Sequence, residues 1–341
     1  MSTAPELPPL PAESGLPPLD ASGLLALYRE MLLIRRLEEA AAKAYTLRKI
    51  LGFCHLYIGQ EAVAVGVAAS TKQDHWIAAY REHGHALAKG APARAVMAEL
   101  YGKATGASRG LGGSMHIFDK EAGFMGGYGI VGGHVPLANG VAWANRHREN
   151  GKIAVCYFGD GASHQGAFFE GLALSALYKL PVLYICENNF YAMGTPLSRQ
   201  SALTDMSLRA NGVGMAREQI TNGMDVEHVR ERVGAAVQYI RDGHGPVFLE
   251  IVTYRFRGHS MSDPAKYRPA GELEEKKKSD PLLVTSDRLM HAFGVTQETL
   301  DEVEASVKAE VDDAVAFAEE SPEPDPADLY GYVYAPNQGQ E

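Results

Sequence analysis

The sequence predicts an α/β fold in which a parallel sheet is covered by helices on both faces. Short apolar segments, suited to buried strands, alternate with longer segments in which apolar residues recur every three or four positions. Strands of a parallel sheet are buried on both faces, so they read as continuous apolar runs. The chain has 341 residues, of which 46% are hydrophobic and 22% are charged, which is enough apolar material for a large buried core.

The N-terminal part of the chain reads as an arm followed by helices. Residues 1–20 are rich in proline, and we expect a flexible arm with a polyproline-like backbone. Residues 24–49 carry the apolar spacing of a long helix, and shorter helical segments follow at 60–70 and 92–101. Residues 102–133 are rich in glycine, so regular structure is least expected there.

Beyond residue 133 helices and strands alternate, as a parallel sheet requires. Asp280 followed by Pro281 predicts another helix start, since Asp caps free N–H groups and Pro fits the first turn. We expect residues 21–341 to form a single α/β domain that ends in helices and a tail. Strands are expected at 153–158, 182–186 and 247–252, and helices at 134–149, 164–178, 226–241 and 297–320.

Composition argues against several classes of protein. The net charge is -10, without a run of five like charges, so no nucleic-acid partner is expected. The first twenty residues contain no Lys or Arg, unlike a signal or transit peptide, and no apolar run approaches a membrane span. Cys54, Cys156 and Cys186 are expected to be small buried side chains in a reducing compartment, and no zinc-type spacing occurs. We therefore expect a cytoplasmic protein, or the mature form of a matrix protein.

Two polar clusters follow predicted strands. Gly159-Asp160-Gly161 ends one strand, and Glu187-Asn188-Asn189 ends the next. Parallel sheets bind ligands at the carboxyl ends of their strands, and glycine lets a ligand approach the backbone. A helix starting near Ser163 would point free N–H groups at the same place, which suits a phosphate. Asp160 would repel that phosphate unless Mg²⁺ lay between them, with Asn189 and a carbonyl near Tyr191 as further oxygen ligands.

The spacing of these clusters resembles the thiamine-diphosphate motif, in which GDG is followed by NN after some 25 residues. Here 26 residues separate Gly161 from Asn188. The resemblance extends from about residue 24 to 335, and the whole is similar to the E1 α subunits of the thiamine-diphosphate-dependent 2-oxoacid dehydrogenases, with HSMSDP and SPEPDP favouring those that act on pyruvate. The segments that carry it are LGFCHLYIGQEA (51–62), AYREHGH (79–85), LGGSMHIF (111–118), GIVGG (129–133) and YRFRGHSMSDPAKYR (254–268).

This resemblance implies a thiamine-diphosphate-binding fold and a set of site residues. Asp160, Asn189 and the carbonyl of Tyr191 would hold Mg²⁺, and His55 and His259 would be the active-site histidines. Ile130 would be the apolar wedge that bends the cofactor. The implied cofactor contacts are Tyr80, Arg81, Gly129, Ile130, Val131, Asp160, Gly161, Ala162, Asn189, Tyr191 and His259. The chain departs from the family pattern at His134 and His164, which we expect near the cofactor.

The resemblance also implies the reaction and the partners. The implied reaction is oxidative decarboxylation of pyruvate with reductive acetylation of the lipoyl domain of an E2 component. The implied assembly is an α₂β₂ heterotetramer with an E1 β subunit. The β subunit would supply the glutamate that activates the aminopyrimidine, because no glutamate in this sequence is positioned for it. The small residues of 62–69 favour close helix packing, either at that interface or within the chain.

Other functions remain alternatives. Acetoin dehydrogenase α and branched-chain 2-oxoacid dehydrogenase E1α share much of the pattern. A subunit that kept the fold as a non-catalytic scaffold is another. Residues 127–132 match the G-x-G-x-x-G of Rossmann oxidoreductases, but we predict no strand leading into them.

Overall fold

The computed structural model describes residues 7–331 of the chain. Strands and helices are numbered in chain order. The strands are β1 (His75–Ala79), β2 (Phe124–Tyr128), β3 (Ala154–Gly159), β4 (Val182–Asn188), β5 (Tyr191–Ala192), β6 (Thr195–Pro196), β7 (Ala216–Ile220) and β8 (Val247–Val252). The helices are α1 (Ala21–Thr46), α2 (Glu61–Thr71), α3 (His83–Lys89), α4 (Ala93–Leu100), α5 (Val135–His147), α6 (Gly166–Leu177), α7 (Leu197–Gln200), α8 (Val226–Arg241), α9 (Glu272–Lys277), α10 (Pro281–Phe293), α11 (Gln297–Glu320) and α12 (Asp328–Gly331). Short 3₁₀ helices lie at Gly113–Met115, Asp160–His164 and Met206–Val213.

The main sheet has the strand order β2-β1-β3-β4-β8-β7, and all its neighbouring strands are parallel. Successive side chains of β3 enter two separate hydrophobic cores: Val155 and Tyr157 join one, while Cys156 and Phe158 join the other. Residues of α1, α2 and α8 fill the first core, and residues of α5 and α6 fill the second. The predicted α/β class, with helices on both faces of a parallel sheet, is confirmed.

Several periodic segments and one helix cap match their predictions. The predicted ranges 226–241, 247–252 and 297–320 coincide with α8, β8 and α11. Asp280 caps α10 by accepting a hydrogen bond from the backbone N–H of Leu282. The first helix begins three residues before its predicted start, because the Asp20 side chain accepts from the N–H of Gly23.

The cysteines, the helices and the small-residue segment 62–69 can each be compared with their predictions. The three cysteines are buried and unpaired, as expected. None of the helices within residues 7–331 combines the length and apolar character needed to cross a bilayer. The small residues of 62–69 lie in α2, which packs on α8 of the same chain, where a Cβ on Gly66 would come within 2.7 Å of Val229. Their close packing therefore serves a contact inside the chain.

The described part of the N-terminal arm lies against α8. Ser14 donates from its backbone N–H and its hydroxyl to the Glu231 carboxylate, both at 2.6 Å. The Arg232 guanidinium donates to the carbonyls of Pro11 and Ala12. A proline-rich backbone leaves its carbonyls unpaired, and the arginines of α8 bind them. These contacts tie residues 11–14 to α8, while the flexibility expected of the arm stays a prediction; residues 1–6 lie outside the described part.

The glycine-rich stretch is more ordered than its composition suggests. β2 lies within it and forms an edge of the main sheet beside β1. The fully buried carboxylate of Glu99 holds the loop that precedes β2, because it accepts hydrogen bonds from four backbone N–H groups of that loop. Those of Ser108 and Gly110 donate to one of its oxygens and those of Gly112 and Gly113 to the other, at 2.7–2.9 Å. The expectation of irregular structure over 102–133 is therefore wrong in part.

The sequence reading also missed β1, α3 and β7. β1 and β7 have five residues each, and α3 has seven, which is too short for a helical period to stand out. β7 lies at the other edge of the sheet and carries three partly exposed polar residues between its buried ends, so it lacks the apolar run of a central strand.

We predict that Glu99→Gln loosens the glycine-rich loop. The amide keeps one acceptor oxygen but turns its NH₂ toward two backbone N–H groups, and each lost or unsatisfied bond costs about 1–3 kcal/mol. Amide hydrogen exchange over residues 108–113 should accelerate at least tenfold, measured by mass spectrometry. Glu302→Gln on the exposed face of α11 is the control, and unchanged exchange at 108–113 would contradict the role given to Glu99.

Candidate active site

The GDG and NN clusters lie side by side at the carboxyl edge of the sheet. β3 and β4 are adjacent and parallel, and Gly159 pairs with Glu187. A cavity of about 240 Å³ opens at this edge. Its walls include nine of the residues predicted from the sequence, namely Tyr80, Arg81, Val131, Asp160, Gly161, Ala162, Asn189, Tyr191 and His259.

A second, wider chamber adjoins this cavity and shares Tyr80, Val131, Met193 and His259 with it. The three remaining predicted residues are His55, Gly129 and Ile130, and two of them line this second chamber. His55 and Gly129 line the second chamber. Ile130 lines neither and is 77% exposed, although its chain neighbours Gly129 and Val131 line the second chamber.

The three residues predicted to hold Mg²⁺, Asp160, Asn189 and Tyr191, all line the first cavity. Asp160 is buried, and burial raises the pKa of its carboxyl group to about 6, while the Gln200 amide donates to one of its oxygens. Asn189 donates through Nδ2 to Gln60, and its Oδ1 accepts from the Tyr191 N–H at 3.4 Å. No group of three or more His, Cys, Asp or Glu in residues 7–331 could hold a metal. A cation here would therefore need oxygen ligands from a bound phosphate as well.

Two arginines supply positive charge to the same cavity. Arg81 donates to the carbonyls of Leu56 and His259, each at 2.7 Å, and Arg255 donates to the Met193 carbonyl and other neutral oxygens. Neither forms an ion pair with a carboxylate in the described part of the chain, and burial lowers the pKa of Arg81 to about 10. Burying an unpaired guanidinium is costly unless an anion joins it. Together with Asp160, the two arginines fit a diphosphate bound through Mg²⁺.

The turn after β3 is tighter than expected. Residues Asp160–His164 form a 3₁₀ helix, and α6 begins at Gly166, so the predicted helix start near Ser163 is wrong by about three residues. A Cβ on Gly161 would lie 2.7 Å from Ala192, so glycine lets β5 approach the end of β3. This approach brings Tyr191 to the cavity.

The two predicted catalytic histidines pack together. The ring centroids of His55 and His259 lie 5.1 Å apart, and Tyr80 lies 4.6 Å from His55. Burial and the neighbouring Arg81 charge lower the pKa of His55 to about 2 and that of His259 to about 4. Both rings are therefore neutral at pH 7. The Nδ1 atom of each has no hydrogen-bond partner among the described residues, which leaves it for a ligand.

Other cavity residues were not singled out from the sequence. Glu187 lines the wall next to Asn188, where its Oε1 accepts from the Tyr57 hydroxyl and lies 3.1 Å from His85 Nε2. Glu187 therefore lies at the site, but its carboxylate is already engaged by Tyr57 and His85, so the expectation that no glutamate of this chain activates the aminopyrimidine stays a prediction. The position of Glu187 directly before the NN pair was the available signal. Gln60, His85, Ala192, Met193 and Arg255 line the same wall and were also missed.

The two histidines that depart from the family pattern line neither chamber. His134 is buried and bonds through Nε2 to the carbonyl of Tyr157 at 2.7 Å. His164 contacts the guanidinium of Arg209. The expectation that they lie beside the cofactor is not supported by this arrangement.

Comparison with known proteins agrees with the geometry. Residues 29–327 match the family described as dehydrogenase E1 component. The chain belongs to this family. It is 51% identical to the pyruvate dehydrogenase E1 component subunit alpha of Rhizobium meliloti (strain 1021) over 308 residues, which cover 90% of this chain and 88% of the relative. The subunit of the same name from Zymomonas mobilis is 46% identical over 327 residues (95% and 91% covered), and the testis-specific mitochondrial form of Rattus norvegicus is 44% identical over 316 (92% and 80%).

The Rossmann alternative loses its support, but for a different reason than expected. β2 does lead into residues 127–132, so the prediction that no strand precedes them is wrong. In a dinucleotide site, however, the acidic residue stands on the strand next to the glycine turn. Here β1 separates β2 from β3, and Asp160 directly follows β3. The constellation of a dinucleotide site is therefore absent from this sheet.

We predict that the His55 and His259 rings stay neutral from pH 8 to pH 5.5. Burial and the Arg81 charge oppose protonation, so the proton is taken up only below this range. NMR of the chain with ¹³C-labelled histidine, assigned through His55→Gln and His259→Gln, should show two ring signals that do not move. Movement of either signal by more than half of its full titration shift would contradict the prediction.

Proposed function

We propose that the chain is the α subunit of a pyruvate dehydrogenase E1 component. With a β subunit it decarboxylates pyruvate oxidatively and acetylates the lipoyl group of an E2 component. The observation that carries the proposal is the cavity at the end of β3 and β4, where Asp160 and Asn189 face two buried arginines without carboxylate partners. This donor set, in a chain of the E1 family, supports binding of thiamine diphosphate with Mg²⁺. Thiamine diphosphate, when bound, supplies the carbanion and electron sink for decarboxylation of a 2-oxoacid.

The residues of the first cavity would bind the charged end of the cofactor. The Asp160 carboxylate, the Asn189 side-chain oxygen and the Tyr191 carbonyl would hold Mg²⁺. Arg81 and Tyr80 would hydrogen-bond the diphosphate oxygens. Gly161 and Ala162 would approach them through the backbone, together with His259, while Gly129, Ile130 and Val131 would meet the ring at the opening.

The second chamber would hold the substrate. His55 and His259 are neutral, so they would donate hydrogen bonds to a 2-oxoacid without adding charge. The apolar side chains of Phe53, Met115 and Val131 line the same space, which favours a small apolar substituent and limits water around the reacting carbon.

The exposed apolar surface supports a partner. Large apolar side chains surround the opening, including Phe53, Ile130 and Met193, each more than 60% exposed. The outer faces of α5 and α6 expose Leu137, Trp143, Phe169, Leu174, Leu177 and Tyr178. Such a surface is typical of protein interfaces. We propose an α₂β₂ heterotetramer in which residues 21–341 act as one domain and the β subunit supplies the glutamate that activates the aminopyrimidine.

The alternatives have less support. The most similar curated relatives cited above carry the pyruvate name, so acetoin dehydrogenase α and branched-chain E1α are not favoured. A scaffold subunit would have no need to bury Asp160 and two arginines around a cavity at the cost of desolvation. No feature of the described residues favours these readings over the main one.

We predict that Asp160→Asn removes Mg²⁺-dependent turnover. The neutral amide takes away the one buried negative charge among the three proposed ligands. Loss of a group that only hydrogen-bonds a metal ligand already costs about 10–100-fold, so kcat should fall at least ~100-fold. Dye reduction by the complex of α and β subunits measures this. Asp301→Asn, on the exposed face of α11, should keep wild-type turnover.

We predict that the complex of this chain with its β subunit turns over pyruvate in preference to 2-oxoisovalerate and acetoin. Turnover should need both thiamine diphosphate and Mg²⁺. Each substrate is offered separately, and kcat/KM is compared. A preference for another substrate would move the chain to a sister activity, and activity without the cofactor would overturn the proposal.

A further inference from the structure

Gln60 lies in the wall of the first cavity and is fully buried. Its backbone is held independently of its side chain, since its N–H donates to the Tyr57 carbonyl and its carbonyl accepts from the Val63 N–H. Its side chain therefore serves another purpose. Oε1 accepts a hydrogen bond from Asn189 Nδ2 at 3.0 Å, and Nε2 has no partner within residues 7–331.

The bond to Gln60 fixes the orientation of the Asn189 amide. A side-chain amide has one donor end and one acceptor end. Because Nδ2 of Asn189 donates to Gln60, its Oδ1 is turned to the opposite side, where it meets the N–H of Tyr191. A metal ion needs the oxygen end, since the NH₂ end would repel it. An amide that could rotate freely would present the ligand only part of the time.

The unpartnered end of Gln60 needs an acceptor. A buried NH₂ group without a hydrogen bond costs about 1–3 kcal/mol, so such groups are normally satisfied. Gln60 lines the cavity that also holds Arg81 and Arg255, whose charges call for an anion. An anionic oxygen bound there would accept from Nε2 as well as from the arginines.

We propose that Gln60 orients Asn189 toward Mg²⁺ and donates its own Nε2–H to an oxygen of the bound diphosphate. This inference rests on the proposed function, because it needs Mg²⁺ and thiamine diphosphate in this cavity. It assigns one task to each end of the side chain: Oε1 orients Asn189, and Nε2 donates to the diphosphate. The donor can be removed while the acceptor is kept.

Two variants of Gln60 separate the tasks. Gln60→Met keeps the volume and loses both ends, whereas Gln60→Glu keeps an acceptor for Asn189 and loses the donor. Asn139→Ala is the matched control, because Asn139 is also a buried amide, bonded to the Gly171 carbonyl, but lines neither chamber. Each is prepared as the complex with the β subunit. Calorimetry gives the Kd for Mg²⁺ at saturating thiamine diphosphate, the Kd for thiamine diphosphate at saturating Mg²⁺, and the Tm without ligands.

Gln60→Met should weaken Mg²⁺ binding about 10–100-fold, the usual effect of losing a partner of a metal ligand. Gln60→Glu should leave the Kd for Mg²⁺ within about threefold but weaken thiamine diphosphate at least tenfold, because a carboxylate then faces the diphosphate. Asn139→Ala should lower the Tm and leave both Kd values within about twofold.

Wild-type affinities in Gln60→Met would overturn the inference. The inference would also fail if Gln60→Met and Asn139→Ala lowered the Tm equally and weakened binding of Mg²⁺ and thiamine diphosphate equally. Such losses of affinity would reflect packing alone. Failure of the proposed function looks different: the wild-type complex itself would then bind neither Mg²⁺ nor thiamine diphosphate.

Discussion

The site depends on burying charges that the chain itself does not balance. Asp160 lies at the end of β3 with its pKa raised by burial, and Arg81 and Arg255 lie nearby with only neutral oxygens as partners. Each charge costs free energy when it leaves water, and paired charges recover part of it. A protein normally brings such groups together as ion pairs. Here the cavity keeps them apart, so a ligand that carries both a cation and negative oxygens would complete the balance.

A second set of buried polar groups holds the loops around this cavity. Glu38 on α1 accepts from the Tyr57 N–H at 2.7 Å and lies 2.9 Å from His83 Nδ1. The other nitrogen of His83 lies 2.9 Å from the hydroxyl of Ser114, in the loop that Glu99 also organises. Although burial opposes it, the Glu38 carboxylate raises the pKa of His83 above its ordinary value. One network thus fixes the segment that carries His55 and the loop that faces it.

Sequence reasoning found the parts of the site that depend on spacing along the chain. Asp160 and Asn189 follow two strands, and adjacent parallel strands place their ends together. Arg255 and Glu187 escaped it because a single charged residue among uncharged neighbours, as in YRF and CEN, does not reveal from sequence whether its side chain faces solvent or a cavity. β2 escaped it because its glycines look like loop residues; yet a Cβ on Gly126 would strike Phe118, and one on Gly127 would strike Glu82. Glycine there marks close packing of a strand, which composition alone does not distinguish from a turn.

The distribution of burial fits the proposal that a second subunit completes the site. Asp160 and the arginines lie deep beside the sheet, where water is excluded and their charges act strongly. Ile130 and Phe53, at the opening, are exposed although they are apolar. An enzyme that stabilises a carbanion gains from excluding water around the reacting atoms. A second subunit that covers the chamber would bury the exposed apolar side chains and exclude water from the chamber at the same time. Assembly and catalysis would then depend on the same surface.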